Sequence, residues 1–143
     1  IGLAARDSLR LEMGYCLYGH DIDVTTTPLE ADLAWVMGKD KRSYIGAEKV
    51  QDPKRKRVGV MLTDKGVARE GSEVLSAGGQ KIGVLSSGGY GPTLKASIGQ
   101  AYLPLEYAEE GTLLQVVVRG NAIPAKVAKM PFLSPKTKSM KKV

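Results

Sequence analysis

The 143-residue chain is long enough for one domain, or for one domain with part of another. Its 43% hydrophobic content is ordinary for a globular protein, and no run approaches the roughly 20 apolar residues a membrane span needs. A single cysteine excludes an internal disulfide and a Cys-based zinc site, while the net charge of +6 admits an anionic partner.

The chain opens on the apolar run Ile1-Gly2-Leu3-Ala4-Ala5, with no Met and no charged leader, and so reads as starting inside a larger protein. Leu9, Met13, Cys16 and Leu17 recur at helical spacing and predict a helix over 7–17, with Gly19 as its stop. Thr27-Pro28-Leu29-Glu30 has the form of a capping box with Pro at the first helical position. It predicts a second helix whose apolar stripe is Leu29, Leu33, Val36 and Met37. A third, short helix is expected over 45–50.

From residue 54 the texture changes to short strand-like runs between turn residues. Strands are predicted over 57–63, 73–76, 81–86, 97–103, 113–119 and 122–129, with Gly78-Gly79 as a hairpin turn. Such a series suggests a closed or nearly closed β-barrel. Pro124, which has no N–H to donate, belongs at an edge or bulge. Residues 134–143 carry Lys136, Lys138, Lys141 and Lys142 and read as an exposed tail. The division expected is 1–20, 21–53 and 54–143.

Few residues suggest chemistry. Arg6-Asp7-Ser8-Leu9-Arg10 reads either as a solvated helix face with an Asp7–Arg10 pair or as an arginine that receives a carboxylate, a task suited to its planar fork. Lys54-Arg55-Lys56-Arg57 reads as a solvated linker before it reads as a nucleic-acid patch, because strand alternation would split it between faces. Residues 87–93, Ser-Gly-Gly-Tyr-Gly-Pro-Thr, lack the Lys-Ser/Thr of a phosphate loop and read as a turn. Tyr15, Tyr18 and the sole histidine, His20, cluster after the first helix, and Cys16 reads as a small buried hydrophobe. The residues alone offer no catalytic constellation.

Six segments taken together resemble the second half of the glycine cleavage system T protein family. They are residues 2–12 (Gly-Leu-Ala-Ala-Arg-Asp-Ser-Leu-Arg-Leu-Glu), Leu17-Tyr18-Gly19-His20-Asp21, Thr27-Pro28-Leu29-Glu30 with Leu33-Ala34-Trp35, Tyr44-Ile45-Gly46, residues 86–94, and Lys129-Met130-Pro131-Phe132. Gly91 and Ser86 depart from the family's Ser and Thr in the fifth segment. The resemblance implies three domains around a folate channel, the last a β-barrel of Greek-key or jelly-roll type. The expected fold class is therefore α+β, with helical fragments of the upstream folate-binding domains before the barrel. It implies an aminomethyltransferase that moves the aminomethyl carbon from the lipoyl arm of the H protein to tetrahydrofolate and releases ammonia. Arg6 matches a folate-contacting arginine. Tyr15 matches a position that is a folate-facing aromatic in some members and apolar in others. The family's catalytic aspartate lies upstream and has no counterpart here, so these residues alone are expected to be inactive. The H protein is the implied partner, with no nucleic acid or membrane, in the mitochondrial matrix of a eukaryote or otherwise in the cytoplasm. Two alternatives remain at this point: a folate-binding domain of the sarcosine or dimethylglycine dehydrogenase type, and a non-enzymatic RNA-binding barrel.

Overall fold

The computed structural model describes residues 1–38, 44–50 and 52–136. Its strands are β1 Arg55–Leu62, β2 Glu73–Ser76, β3 Lys81–Gly91, β4 Ala96–Pro104, β5 Leu113–Val118 and β6 Asn121–Ala128. They close into an antiparallel barrel in the order β1-β4-β3-β2-β5-β6. Strands β2, β3 and β4 run as a meander, and β4 then lies beside β1, which is the Greek-key connection. Helix α1, Leu3–Glu12, packs outside the barrel on β3 and β4. The α+β class expected from the sequence is the class observed.

Strand alternation fills the barrel. Val58, Val60 and Leu62 of β1 point inward with Val74, Leu85, Ala101, Leu103, Leu114, Val116, Ala125 and Val127. Strand β4 is buried on both faces, because α1 and the loop after it cover Ile98 and Gln100 from outside while Ala101 and Leu103 face the core.

Strand β3 departs from expectation. Residues 87–93 were expected to turn, yet β3 runs on to Gly91 and the turn falls at 92–95. The glycines here serve close approach: a Cβ on Gly88 would lie 2.9 Å from the Ala68 carbonyl oxygen. A bulge between Leu85 and Ser87 shifts the register against β4. Pro124 pairs in register with Gln115, just past the end of the β1–β6 ladder. Its carbonyl, turned toward β1, accepts the Thr63 N–H at 2.9 Å, so the missing N–H removes no bond to β5.

The helices differ more. α1 starts and ends earlier than predicted, and Gly14 at φ +67° is its stop. Gly14 N–H bonds the Leu11 carbonyl and Tyr15 N–H bonds the Arg10 carbonyl, the paired bonds of a Schellman cap. A Cβ on Gly14 would also stand 2.9 Å from that of Met130. Leu11 and Glu12 are the buried members of α1, whereas Leu3 and Leu9 are 82% and 60% exposed.

The capping box at Thr27 does form. Thr27 N–H donates to Glu30 Oε2 at 3.1 Å and Glu30 N–H to Thr27 Oγ1 at 3.2 Å. No α-helix follows, only one turn, which Asp32 ends at φ +58°, and a 3-10 turn at Ala34–Val36. The reason is tertiary. Arg57 N–H takes the Glu30 carbonyl at 2.7 Å, and Arg57 Nε takes that of Ala31 at 2.8 Å. These carbonyls would otherwise accept the N–H groups of residues 34 and 35. Over 45–50, Gly46 at φ +87° leaves only the 3-10 turn Ala47–Lys49. Of the expected tail, Lys138, Lys141 and Lys142 lie outside the described residues.

Candidate functional site

The barrel presents the outer face of β3 and β4 to α1, and polar groups meet in that seam. Arg10, in the last turn of α1, bonds Asp7 at 2.7 Å, Asp21 Oδ2 at 2.6 Å and Ser87 Oγ at 2.9 Å. The sequence foresaw only the Asp7 contact. Asp21 is fully buried and also accepts from Leu17 N–H at 2.9 Å and Ser86 Oγ at 2.6 Å. Adjacent strand residues normally point to opposite faces. The bulge at Ser86 lets both serines reach this one network. Asp21 is the aspartate of the Leu-Tyr-Gly-x-Asp segment, so the motif held a signal that residue-level reasoning left unused.

Glu12 is buried and makes no ion pair among the described residues. Its carboxylate accepts Thr93 N–H at 2.7 Å, Thr93 Oγ1 at 3.0 Å and Leu94 N–H at 3.4 Å. The turn that loosely resembles a phosphate loop does gather backbone donors onto an anion, and that anion belongs to α1.

The basic run at 54–57, expected as a solvated linker, instead runs into β1. Arg55, Lys56 and Arg57 are strand residues. Arg55 pairs with Glu30 at 3.1 Å and lies over the Tyr102 ring at 4.7 Å, and Lys56 pairs with Asp32 at 3.2 Å. Arg57 is 5% exposed and bonds neutral acceptors: Ala31 and Gly14 carbonyls and, at 2.7 Å, Gln100 Oε1. Gln100 in turn donates from Nε2 to the Tyr15 carbonyl at 3.1 Å.

Beside this seam lies a cleft of about 290 Å³, lined among others by Leu3, Arg6, Leu17, His20, Glu70 and Gly88. Among the described residues Arg6 makes no ion pair, whereas Arg10 is held by two carboxylates. His20 Nδ1 sits 2.9 Å from Glu70 Oε2 across the cleft wall. Tyr15 is 61% exposed but is not among the cleft's lining residues, so the two expected folate contacts share one element and its cap rather than one pocket.

Two further side chains are held by burial and local contacts. Burial pushes the Cys16 thiol above its usual pKa against the pull of Arg57, which keeps thiolate scarce. Tyr102 donates to the Asp21 carbonyl at 2.7 Å, and burial pushes its pKa up to about 12. Because the folded value lies above the ordinary tyrosine value of about 10, the neutral phenol stabilises the fold fully below that value, and the contribution is lost as pH rises through about 12. Titration of tyrosinate absorbance should show one of the six tyrosines lagging, and Tyr102→Phe should remove the lag. If the variant still lags, another tyrosine is the protected one.

Comparison with known proteins places this architecture. Residues 55–133, more than half the chain, match the glycine cleavage T-protein C-terminal barrel domain, and residues 1–41 match the GCVT N-terminal domain. An aminomethyltransferase of Bacteroides fragilis is 46% identical over 138 residues, covering 92% of this chain and 38% of that protein. One from Chlorobium phaeovibrioides is 45% identical, covering 94% and 38%. The crystal structure of the glycine cleavage system aminomethyltransferase T from Bartonella henselae superposes with a TM-score of 0.85 at 38% identity, over 93% of this chain and 39% of that one. The chain thus spans about two fifths of the length of the relatives it matches. Barrel order, the motifs in sequence and these matches agree, and the chain belongs to the glycine cleavage T-protein family.

Proposed function

We propose that this chain contributes the folate-tail side of a tetrahydrofolate-dependent aminomethyltransferase of glycine cleavage. In this reading the complete protein takes the aminomethyl group from the lipoyl arm of the H protein and releases ammonia. Tetrahydrofolate, when bound, supplies the nitrogens that accept the carbon. The observation that carries the reading is Arg6, a guanidinium on α1 that lines a mostly apolar cleft and makes no ion pair among the described residues. A carboxylate taken out of water needs such a donor. Leu3 and Leu17 offer apolar contact to what the carboxylate is attached to.

The relatives named above are bacterial, which favours the cytoplasm; none of them supports the mitochondrial alternative. Among the described residues no helix is long and apolar enough to cross a membrane. The internal contacts of Arg55, Lys56 and Arg57 weigh against the RNA-binding alternative.

Arg6→Ala in the full-length protein should weaken tetrahydrofolate binding by roughly 1.5–3 kcal/mol, the range for a hydrogen bond to a charged group. Arg6→Lys should recover only part of this, because an ammonium lacks the fork. Anaerobic tetrahydrofolate titrations with melting curves alongside are the measurement. Unchanged affinity in a folded Arg6→Ala protein removes Arg6 from the site.

A further inference from the structure

The seam contains a buried arginine whose nearest side-chain acceptor, at 2.7 Å, is the neutral amide of Gln100 rather than a carboxylate. Gln100 is 0% exposed on β4. A glutamate there would give Arg57 a counter-ion, which a buried guanidinium ordinarily calls for. What a glutamate lacks is an N–H, and Gln100 uses its own to hold the Tyr15 carbonyl at 3.1 Å. Arg57 holds the preceding carbonyl, that of Gly14, at 3.0 Å. The two side chains therefore grip successive carbonyls of the Schellman cap, at the point where α1 ends and the chain changes direction.

That grip has a specific consequence. Tyr15 projects an exposed ring from a backbone position fixed by the cap. Leu11 anchors the helix from the barrel side; after Gly14 the backbone is held by the Tyr15 N–H on the Arg10 carbonyl at 2.9 Å and by the Tyr15 carbonyl, which takes Gln100 Nε2 at 3.1 Å and, at a longer 3.4 Å, Arg10 Nη1. We propose that Gln100 is a positioning residue for Tyr15, acting through the Tyr15 carbonyl, and that it is an amide because an amide can give that carbonyl its shorter hydrogen bond, beside the longer one from Arg10, while accepting from Arg57. The inference rests on the reading of Tyr15 as a folate contact.

Gln100→Glu separates positioning from stability. The substitution keeps an oxygen for Arg57 and adds a charge partner, so a purely structural residue should tolerate it. It also sets a carboxylate oxygen against the Tyr15 carbonyl, which shifts the cap. In the full-length protein, tetrahydrofolate affinity should fall about five- to tenfold, the scale of one lost hydrogen bond, at a near-unchanged melting temperature. Tyr15→Ala should lose a similar factor, and the double variant should lose no more than either alone. Should Gln100→Glu fail to fold, Gln100→Met, which also lacks the N–H, is measured against the same two criteria. Additive losses, or unchanged affinity at position 100 while Tyr15→Ala weakens binding, overturn the inference and leave the folate reading standing. If Tyr15→Ala has no effect while Arg6→Ala does, Tyr15 is no contact and the inference falls alone. If neither variant weakens binding, the folate reading itself falls.

Discussion

Arg10→Ala is expected to lower the unfolding free energy by about 3–5 kcal/mol, the range for breaking a buried ion pair from one side. The cost comes from what stays behind. Asp21 has a fully buried side chain, and Arg10 at 2.6 Å is its only cation among the ion pairs of the described residues. Leu17 N–H and Ser86 Oγ remain as donors, but neither neutralises the charge. Arg10→Ala also frees Ser87 Oγ and the exposed Asp7, at little cost. Arg10→Ala combined with Asp21→Asn should recover part of the loss, because the stranded charge is then gone. Chemical denaturation of the variants reads this directly. A loss under about 1 kcal/mol in Arg10→Ala would show that Asp21 keeps its charge solvated by another route.

Arg57→Ala is expected to cost roughly 3 kcal/mol or more, through unpaired acceptors rather than a lost charge pair. The carbonyls of Ala31 and Gly14 and the Oε1 of Gln100 each lose a donor in a dry seam. These acceptors come from separate parts of the chain, so the variant should unfasten the segment around residues 14–31 from the barrel while Val58 and Val60, on the opposite face of β1, keep the core packed. Hydrogen exchange should accelerate at Tyr15 and Ala31 before it does in β1. Uniform acceleration would mean that seam and barrel open together. Arg57→Lys should recover little, since one ammonium cannot reach acceptors spread around a planar fork.

The barrel was legible because its strands are short, alternate cleanly and are separated by turn residues; β2 falls at the predicted Glu73–Ser76. The second half of β3 was not, since Ser-Gly-Gly-Tyr-Gly has no apolar alternation and its glycines answer to neighbours such as Ala68, far off in sequence. Local propensity gave the capping box at Thr27 correctly and the helix after it wrongly. The box depends on residues three apart, whereas the helix was ended by Arg57, whose guanidinium takes the carbonyl it needed. The seam shows the same division. Asp7–Arg10 is an i,i+3 contact and could be read from spacing. Arg10–Ser87 joins residues 77 apart and depends on a bulge that no local pattern announces. Arg6 and Tyr15 entered through family likeness, and the structure adds the cap that relates them.

Closure of the barrel also governs how this chain sticks to itself. Each of the six strands has a strand neighbour on both sides, so the barrel has no fully open edge, although residues 55–58 of β1 and 86–91 of β3 have a strand neighbour on one side only. Adhesive surface is concentrated elsewhere, in Leu3, Leu9, Trp35 and Val36, which are 82%, 60%, 80% and 56% exposed and all precede the first strand. Association of the folded chain is therefore expected to run through these apolar side chains, tolerant of salt and without gain of sheet. The product is expected to be amorphous and to redissolve in mild detergent, unlike a fibre grown by strand addition; thioflavin binding by the aggregate would overturn this.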